Sequence, residues 1–161
     1  MAASDGCRRR VRIRAERRQP RARPRARGGI PLLIFVDTSA LYALLDRDDR
    51  FHDEAKRTFA TLENEERVTH SYVLVETTAI AHRRLGEIAV RRFVQELVPV
   101  LSTVWIDEAT HAAGVAALLA ALPTRISLVD FVSFEVMREH GISRAFAFDE
   151  DFRAAGFGQA P

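Results

Sequence analysis

The chain has 161 residues, 47% of them hydrophobic and 29% charged, which is the balance of one ordinary globular domain. This composition excludes a collagen-like, low-complexity or wholly disordered protein. The single cysteine, Cys7, excludes an internal disulfide framework. The longest apolar run, residues 112–122, is shorter than the stretch of about 18 residues that a membrane helix needs. We therefore expect a soluble, cytoplasmic protein without a membrane-spanning segment.

The charge is divided unevenly along the chain. Residues 1–30 contain 11 arginines and two acidic residues, a net charge of +9, whereas residues 31–161 carry 13 basic and 20 acidic residues, a net charge of −7. We predict an Arg-rich disordered extension over residues 1–30 and one folded domain over residues 31–161. The extension is interpreted as dispensable, or as the result of a start codon assigned too far upstream, in preference to a nucleic-acid-binding arm. A cleaved leader is disfavoured, because no A-x-A site follows and because cleavage would remove Asp37.

Short apolar strands alternate with helices after residue 31. Residues 32–36 are predicted to form a buried strand, and Asp37, Thr38 and Ser39 are predicted to cap a helix over residues 40–45. The elements that follow are predicted, in chain order, as a helix at residues 51–62, a strand at 67–69, a helix at 71–85 capped by Ser71, a helix at 88–98 ended by Pro99, a strand at 102–106, helices at 107–122 and 127–140, a strand at 144–148, a turn at 152–155 and an edge strand at Phe157. Strands separated by helices predict parallel pairing in an α/β sandwich, whose sites form at the carboxyl ends of the strands.

Four acidic residues lie in mostly apolar sequence. They are Asp37 directly after the first strand, Glu76 within the third helix, Asp130 near the start of the sixth helix and Asp149 at the end of the last long strand. An unpaired buried charge costs about several kcal/mol, so these carboxylates need partners. A divalent cation would supply one, and ligands made of oxygen alone favour Mg²⁺ or Mn²⁺ over zinc. Taken singly, each acid could instead cap a helix, compensate a helix dipole or lie in a turn.

An ordered set of short motifs carries a resemblance to a known family. The motifs are FVDTSAL at residues 35–41, VE at 75–76, SLVD at 127–130 and AFD at 147–149. In this order and spacing they resemble a PIN domain, most closely the VapC toxins of prokaryotic VapB–VapC toxin–antitoxin pairs. The resemblance implies a PIN-like three-layer α/β/α sandwich with a short, mostly parallel central sheet. It also implies an Mg²⁺-dependent endoribonuclease, in which Mn²⁺ could substitute, with an RNA substrate, a VapB-like antitoxin partner and a homodimeric state.

The resemblance also implies the roles of individual residues. The acidic residues of the family carry over to Asp37, Glu76, Asp130 and Asp149, and the hydroxyl of Ser39 matches a position that supports the metal site. Where the family often has Thr or Ser, two residues before its last acid, this chain has Ala147. That departure leaves Asp151 as an alternative fourth acid, and Asp149 is preferred because it is predicted to end a strand.

Other residues could contribute to RNA binding. Six arginines are candidates for contacts with the phosphates of RNA, although a solvated helix face explains at least half of them better: Arg47, Arg50, Arg83, Arg84, Arg91 and Arg92. Tyr42 and Phe131 could stack bases but are better explained as core residues. A PIN-like module that binds RNA or a partner without cleaving it is the alternative function. A haloacid-dehalogenase-type phosphatase is disfavoured, because Ser39 stands where a second Asp would be needed.

Overall fold

A five-stranded parallel sheet forms the centre of the molecule in the computed structural model, which describes residues 32–160. Its strands are β1 (Leu33–Val36), β2 (Glu66–His70), β3 (Ser102–Val104), β4 (Arg144–Phe146) and β5 (Gly158–Gln159), in the order β3-β2-β1-β4-β5. The predicted extension over residues 1–30 lies outside the described residues.

Helices cover the sheet and complete the predicted three-layer α/β/α sandwich. They are α1 (Thr38–Leu45), α2 (His52–Thr61), α3 (Ser71–Leu85), α4 (Glu87–Arg92), α5 (Glu108–Ala121), α6 (Leu128–Glu139) and α7 (Asp151–Ala154). No helix within residues 32–160 combines the length and apolar character that crossing a membrane requires.

The middle strand β1 is buried on both faces. Ile34, Phe35 and Val36 have no exposed surface, as expected of a central parallel strand covered by helices on each side. The ring of Phe35 packs on that of Phe152, which in turn meets Phe134 of α6 at a centroid distance of 5.2 Å. These contacts anchor the carboxyl end of β1, where the first predicted site residue follows.

The predicted cap of α3 is wrong, because His70 and not Ser71 occupies that position. His70 Nδ1 accepts hydrogen bonds from the backbone N–H groups of Tyr72 and Val73, so its proton resides on Nε2. Nε2 donates to the hydroxyl of Ser133 on α6, 2.8 Å away. Burial lowers the pKa of His70 to about 4, which keeps the ring neutral and able to accept at Nδ1. The hydroxyl of Ser71 instead accepts from the backbone N–H of Ile106.

Three predicted boundaries also differ from the structure. Pro99 does not end the fourth helix: α4 continues through one π turn (Phe93–Leu97) into a 3₁₀ turn (Val98–Val100) that contains it. Proline fits there because the first residues of a helical turn need no N–H partner. The third strand ends at Val104, before Trp105, whose surface is 77% exposed.

The third difference concerns the loop that carries the last acid. β4 ends at Phe146, so Asp149 lies three residues beyond the strand instead of closing it. The predicted turn at residues 152–155 corresponds to the short helix α7. An edge strand is present as predicted, but it is β5 at Gly158–Gln159 and does not include Phe157. The loop between β4 and α7 therefore positions both Asp149 and Asp151.

A glycine allows α5 to approach α6 closely. A Cβ atom on Gly114 would lie 2.5 Å from Val132 Cγ2 and 3.3 Å from the Val132 backbone nitrogen. Real Cβ atoms do not tolerate the first of these distances, so a side chain at this position would push the two helices apart. Val132 lies two residues after Asp130, and the contact therefore also positions that acid.

We predict that Gly114→Ala lowers the free energy of unfolding by about 1–3 kcal/mol, because overpacking outweighs the better helix propensity of alanine. Urea unfolding followed by circular dichroism measures this change. In a Val132→Ala background the clashing methyl is absent and only the contact with the backbone of residue 132 remains, so the same substitution is expected to cost less stability. An equal stabilisation by alanine in both backgrounds would contradict the predicted close contact.

Candidate active site

The first predicted site residue, Asp37, lies where β1 passes into α1. Its backbone N–H donates to the carbonyl of Phe146, the last residue of β4, at 3.1 Å. Its carboxylate caps α1, with Oδ2 accepting from the backbone N–H of Ser39 at 2.9 Å. Only 3% of its surface is exposed. Asp37 is therefore fixed between the carboxyl ends of two neighbouring strands.

The hydroxyl of Ser39 connects Asp37 with the loop after β4. It donates to Asp37 Oδ2 at 2.7 Å and accepts from the backbone N–H of Phe148 at 3.0 Å. Phe148 directly precedes Asp149. This single hydroxyl thus joins the segments that carry two of the predicted acids, which is a concrete means by which Ser39 could support the site.

Asp130 lies in the first turn of α6 and forms a capping box with Ser127. Asp130 Oδ2 accepts from the backbone N–H and the hydroxyl of Ser127, at 3.0 and 2.7 Å. The Ser127 hydroxyl in turn accepts from the backbone N–H of Asp130. Asp130 therefore has the helix-capping role that the sequence left open. The contacts with Ser127 orient the carboxylate through Oδ2 and do not involve Oδ1.

The charges of Asp37, Asp130 and Asp149 act on one another. The pKa of Asp37 is raised to about 7, chiefly by burial and also by the negative charges of Asp149 and Asp130, against the lowering effect of the Ser39 hydrogen bonds. Burial also raises the pKa of Asp149, with added contributions from the charges of Asp130 and Asp151. The structure therefore brings these three predicted acids into one electrostatic cluster.

Glu76 joins the cluster through Thr38. The Thr38 hydroxyl donates to Glu76 Oε2 at 2.7 Å, and Thr38 directly follows Asp37. Sequence reasoning treated Thr38 only as a cap residue. Thr38 carries a hydroxyl directly after a predicted acid, and this combination could have identified it as a residue of the site.

The expectation that all four acids are buried is wrong. Asp37 is buried, but Glu76, Asp130 and Asp149 are half-buried. Val75, beside Glu76, is 69% exposed, so the apolar stretch around Glu76 belongs partly to the surface. The three half-buried acids therefore retain access to solvent and to a ligand.

Asp151 contacts Asp149 and stands at the start of α7. Its backbone N–H donates to Asp149 Oδ1 at 3.2 Å, and its charge raises the pKa of Asp149. The acids whose charges raise the pKa of Asp37 are Asp149 and Asp130. The charge of Asp149 therefore acts on Asp37, whereas that of Asp151 acts on Asp149. This difference favours Asp149 as the fourth acid.

The chemistry of these side chains fits a hard divalent cation. The acidic residues that form ion pairs within residues 32–160 are Glu65, Glu96, Glu135 and Glu150. Within the same residues, none of the four predicted acids is paired with a lysine, arginine or histidine side chain. Carboxylate oxygens are the ligands that Mg²⁺ and Mn²⁺ prefer, and a cation would offset the repulsion that raises the pKa of Asp37. Within the same residues, no three His, Cys, Asp or Glu side chains converge closely enough to hold a metal as they stand.

The chain is similar to known proteins over most of the described residues. The PIN domain family matches residues 34–158. The 23S rRNA-specific endonuclease VapC20 of Mycobacterium tuberculosis is 37% identical over 126 residues, which are 78% of this chain and 95% of the relative, in both strain CDC 1551 and strain H37Rv.

A solved structure shows the same fold. The crystal structure of Mycobacterium tuberculosis VapC20, described as a toxin that cleaves the sarcin-ricin loop, superposes with a TM-score of 0.72 at 36% identity. The match covers 77% of this chain and 95% of the VapC20 chain. The chain belongs to the PIN-domain family, among its VapC-type ribonucleases.

Proposed function

We propose that this protein is the toxin of a type II toxin–antitoxin system and hydrolyses RNA with Mg²⁺ bound by Asp37, Glu76, Asp130 and Asp149. The observation that carries the proposal is the buried Asp37 carboxylate, held beside two more carboxylates at the carboxyl end of the sheet. Oxygen-only ligands with no cationic side-chain partner are typical of a Mg²⁺ or Mn²⁺ site. Intact acids also favour cleavage over the alternative of a module that only binds RNA.

Each residue would have a defined task at this site. Asp37 would bind the cation while Ser39 holds its Oδ2, and Asp130 would do so while Ser127 holds its Oδ2. Glu76 would be oriented by the hydroxyl of Thr38. When bound, Mg²⁺ supplies positive charge to the phosphodiester and makes a nearby water more acidic. The fixed carboxylates require little rearrangement at the moment of reaction.

The proposed substrate class is structured ribosomal RNA. VapC20 is named as specific for 23S rRNA and as cleaving the sarcin-ricin loop, and this chain aligns with 95% of its length. We propose the same RNA as the first substrate to test. A protein that acts on ribosomes would reside in the cytoplasm.

The proposed protein partners are a VapB-like antitoxin and a second copy of the chain. A cluster of carboxylates without cationic side-chain partners is a natural target for an Arg or Lys side chain of an antitoxin. The homodimer is proposed from the family to which the chain belongs.

Asp37→Asn is predicted to reduce RNA cleavage at least about 100-fold, because the variant loses the charge of a cation ligand but keeps its shape. The assay uses sarcin-ricin loop RNA with Mg²⁺, and EDTA should abolish cleavage by the wild type. Asp107→Asn is the matched control, since Asp107 caps α5 in the same way as Asp37 caps α1 but is exposed. Undiminished cleavage by Asp37→Asn would refute the proposed site.

The products are predicted to carry a 5′-phosphate and a 3′-hydroxyl, because water activated at a carboxylate-held cation attacks the phosphorus atom. Labelled fragments can be identified by phosphatase treatment and by ligation to an adapter that requires a 5′-phosphate. Fragments ending in a 2′,3′-cyclic phosphate would instead mean that the 2′-hydroxyl of the RNA attacks.

In metal-free buffer, Asp37 is predicted to destabilise the fold as the pH rises. The carboxyl has a pKa of about 7 when folded against an ordinary value of 3.8, so the folded state retains a proton that the unfolded state has released. The stabilisation from that proton is complete below pH 3.8 and is lost as the pH rises through 7. Asp37→Asn should therefore become more stable than the wild type by pH 8, by on the order of a few kcal/mol.

Urea unfolding in EDTA at pH 5 and pH 8 tests this sign. Hydrogen bonds from Thr110 lower the pKa of Asp107, so Asp107→Asn should give the same small loss of stability at both pH values. Added Mg²⁺ should stabilise the wild type at pH 8 more than it stabilises Asp37→Asn. A wild type that gains stability relative to Asp37→Asn as the pH rises would contradict the raised pKa.

A further inference from the structure

One buried histidine ring contacts three of the segments that carry the predicted acids. His70 ends β2 and has no exposed surface. Its ring centroid lies 5.5 Å from that of Phe35 on β1, two residues before the first acid. Its two nitrogens contact the first turn of α3 and the hydroxyl of Ser133 on α6. β1 leads into the first acid, and α3 and α6 carry the second and the third.

Two hydrogen-bond arguments assign the same tautomer to His70. Nδ1 accepts from the backbone N–H groups of Tyr72 and Val73, at 3.2 and 3.4 Å, so this nitrogen carries no proton. The Ser133 hydroxyl donates its one proton to the carbonyl of Val129 at 2.9 Å, so it accepts from His70 Nε2. The neutral ring is therefore an acceptor toward α3 and a donor toward α6.

The α6 end of the bond from His70 to Ser133 lies one turn from an acid. Ser133 and Asp130 are three residues apart, so they occupy neighbouring positions on one face of the helix. The carbonyl to which Ser133 donates belongs to Val129, the residue before Asp130. A displacement of Ser133 toward or away from His70 would therefore move the turn that carries Asp130.

The α3 end of the same ring fixes the start of the helix that carries Glu76. His70 is the cap of α3, and Glu76 follows six residues later. The Glu76 carboxylate accepts from Thr38, so the position of α3 decides whether this contact with the site is made. The His70 ring has neither exposed surface nor a free nitrogen, so it is not itself a ligand of a cation or of RNA. Its effect on the site passes through the two helices.

We propose that His70 is a positioning residue of the nuclease, which holds α3 against α6 through Ser133 and thereby sets the affinity of the acidic cluster for a divalent cation. The inference rests on the proposed function and adds a residue that touches neither the RNA nor the metal. Without the bond to Ser133, the carboxylates of Glu76 and Asp130 would be held less rigidly relative to each other. A cation would then have to order them when it binds, which lowers its affinity.

The test measures Mn²⁺ binding to the full chain without RNA, from the electron paramagnetic resonance signal of the free ion. Ser133→Ala removes the acceptor of the bond and only one side-chain oxygen, so it is expected to fold. His70→Asn keeps an oxygen that caps α3 but is too short to reach Ser133. Each variant is expected to bind Mn²⁺ roughly 2- to 30-fold more weakly than the wild type, the range found for residues that act on a site through the fold.

Two controls separate positioning from a general loss of stability. Tyr72→Phe removes a hydrogen bond of the same helix, that between its hydroxyl and Nδ1 of His111 on α5, which carries none of the four acids. This variant is expected to lower the free energy of unfolding without changing the Mn²⁺ affinity. The double variant His70→Asn/Ser133→Ala should bind Mn²⁺ about as well as the weaker single variant, because both changes break the same bond. Far-UV circular dichroism and urea unfolding check that each variant is folded in the binding assay.

The outcomes separate this inference from the proposed function. Unchanged Mn²⁺ affinity in Ser133→Ala, or an equal loss in Tyr72→Phe, would overturn the positioning role and leave Mg²⁺-dependent cleavage by the wild type intact. If His70→Asn does not fold, this comparison of Ser133→Ala with Tyr72→Phe decides. Losses that multiply in the double variant would show that the two residues act separately and would also overturn it.

Two further results bear on the nuclease itself. Weaker Mn²⁺ binding in Ser133→Ala but not in Tyr72→Phe, in a protein that cleaves no RNA, would support the positioning role and refute the nuclease. A wild type that binds no Mn²⁺ would refute the metal site and, with it, this inference.

Discussion

The electrostatic repulsion around the buried Asp37 carboxylate is the constraint on which the rest of the site depends. Burial and the charges of two neighbouring acids raise its pKa to about 7. Among residues 32–160, no lysine or arginine forms an ion pair with these acids to relieve the repulsion. The chain holds the carboxylate in place through the backbone and hydroxyl of Ser39 and the N-terminus of α1. Charges kept together by a rigid scaffold have a high affinity for a cation, because the cost of assembling them is met during folding.

The parallel sheet supplies that rigidity. β1 pairs with β2 on one side and β4 on the other, so the segments that follow these strands meet at one edge of the sheet. His70, at the end of β2, caps α3 and donates to Ser133 of α6. The helices that carry Glu76 and Asp130 are thereby joined through one buried ring. Each acid is thus attached both to the sheet and to a polar neighbour that sets its orientation.

Much of this arrangement was predictable from local pattern. The α/β class, the family and the segments bearing the acids followed from short apolar strands, cap residues and motif order, because these signals are local. The burial of Glu76 and the cap of α3 could not be predicted in the same way. Whether Val75 faces the core or solvent depends on what packs against α3, and His70 became a cap only because Ser133, 63 residues away, receives its proton.

The hydrogen-bond partners of the acids show the same limit. Ser127 and Asp130 form a capping box within four residues, and such a short motif can be predicted from the sequence. The bonds from Thr38 to Glu76 and from Phe148 to Ser39 join residues 38 and 109 positions apart. The periodicity of apolar residues does not predict hydrogen bonds between residues so far apart in the chain.

The pairing of β1 with β4 has a consequence for how the protein is made. Phe35 pairs with Ala145 in neighbouring strands, so the first and last acids of the cluster come together only after more than a hundred residues of intervening chain. During synthesis, the nascent chain therefore contains Asp37 for more than a hundred residues before Asp149 is added. The complete cluster cannot assemble until β4 and the loop after it have emerged. The pairing of β1 with β4 thus delays the assembly of the acidic cluster until the last strands of the domain have been synthesised.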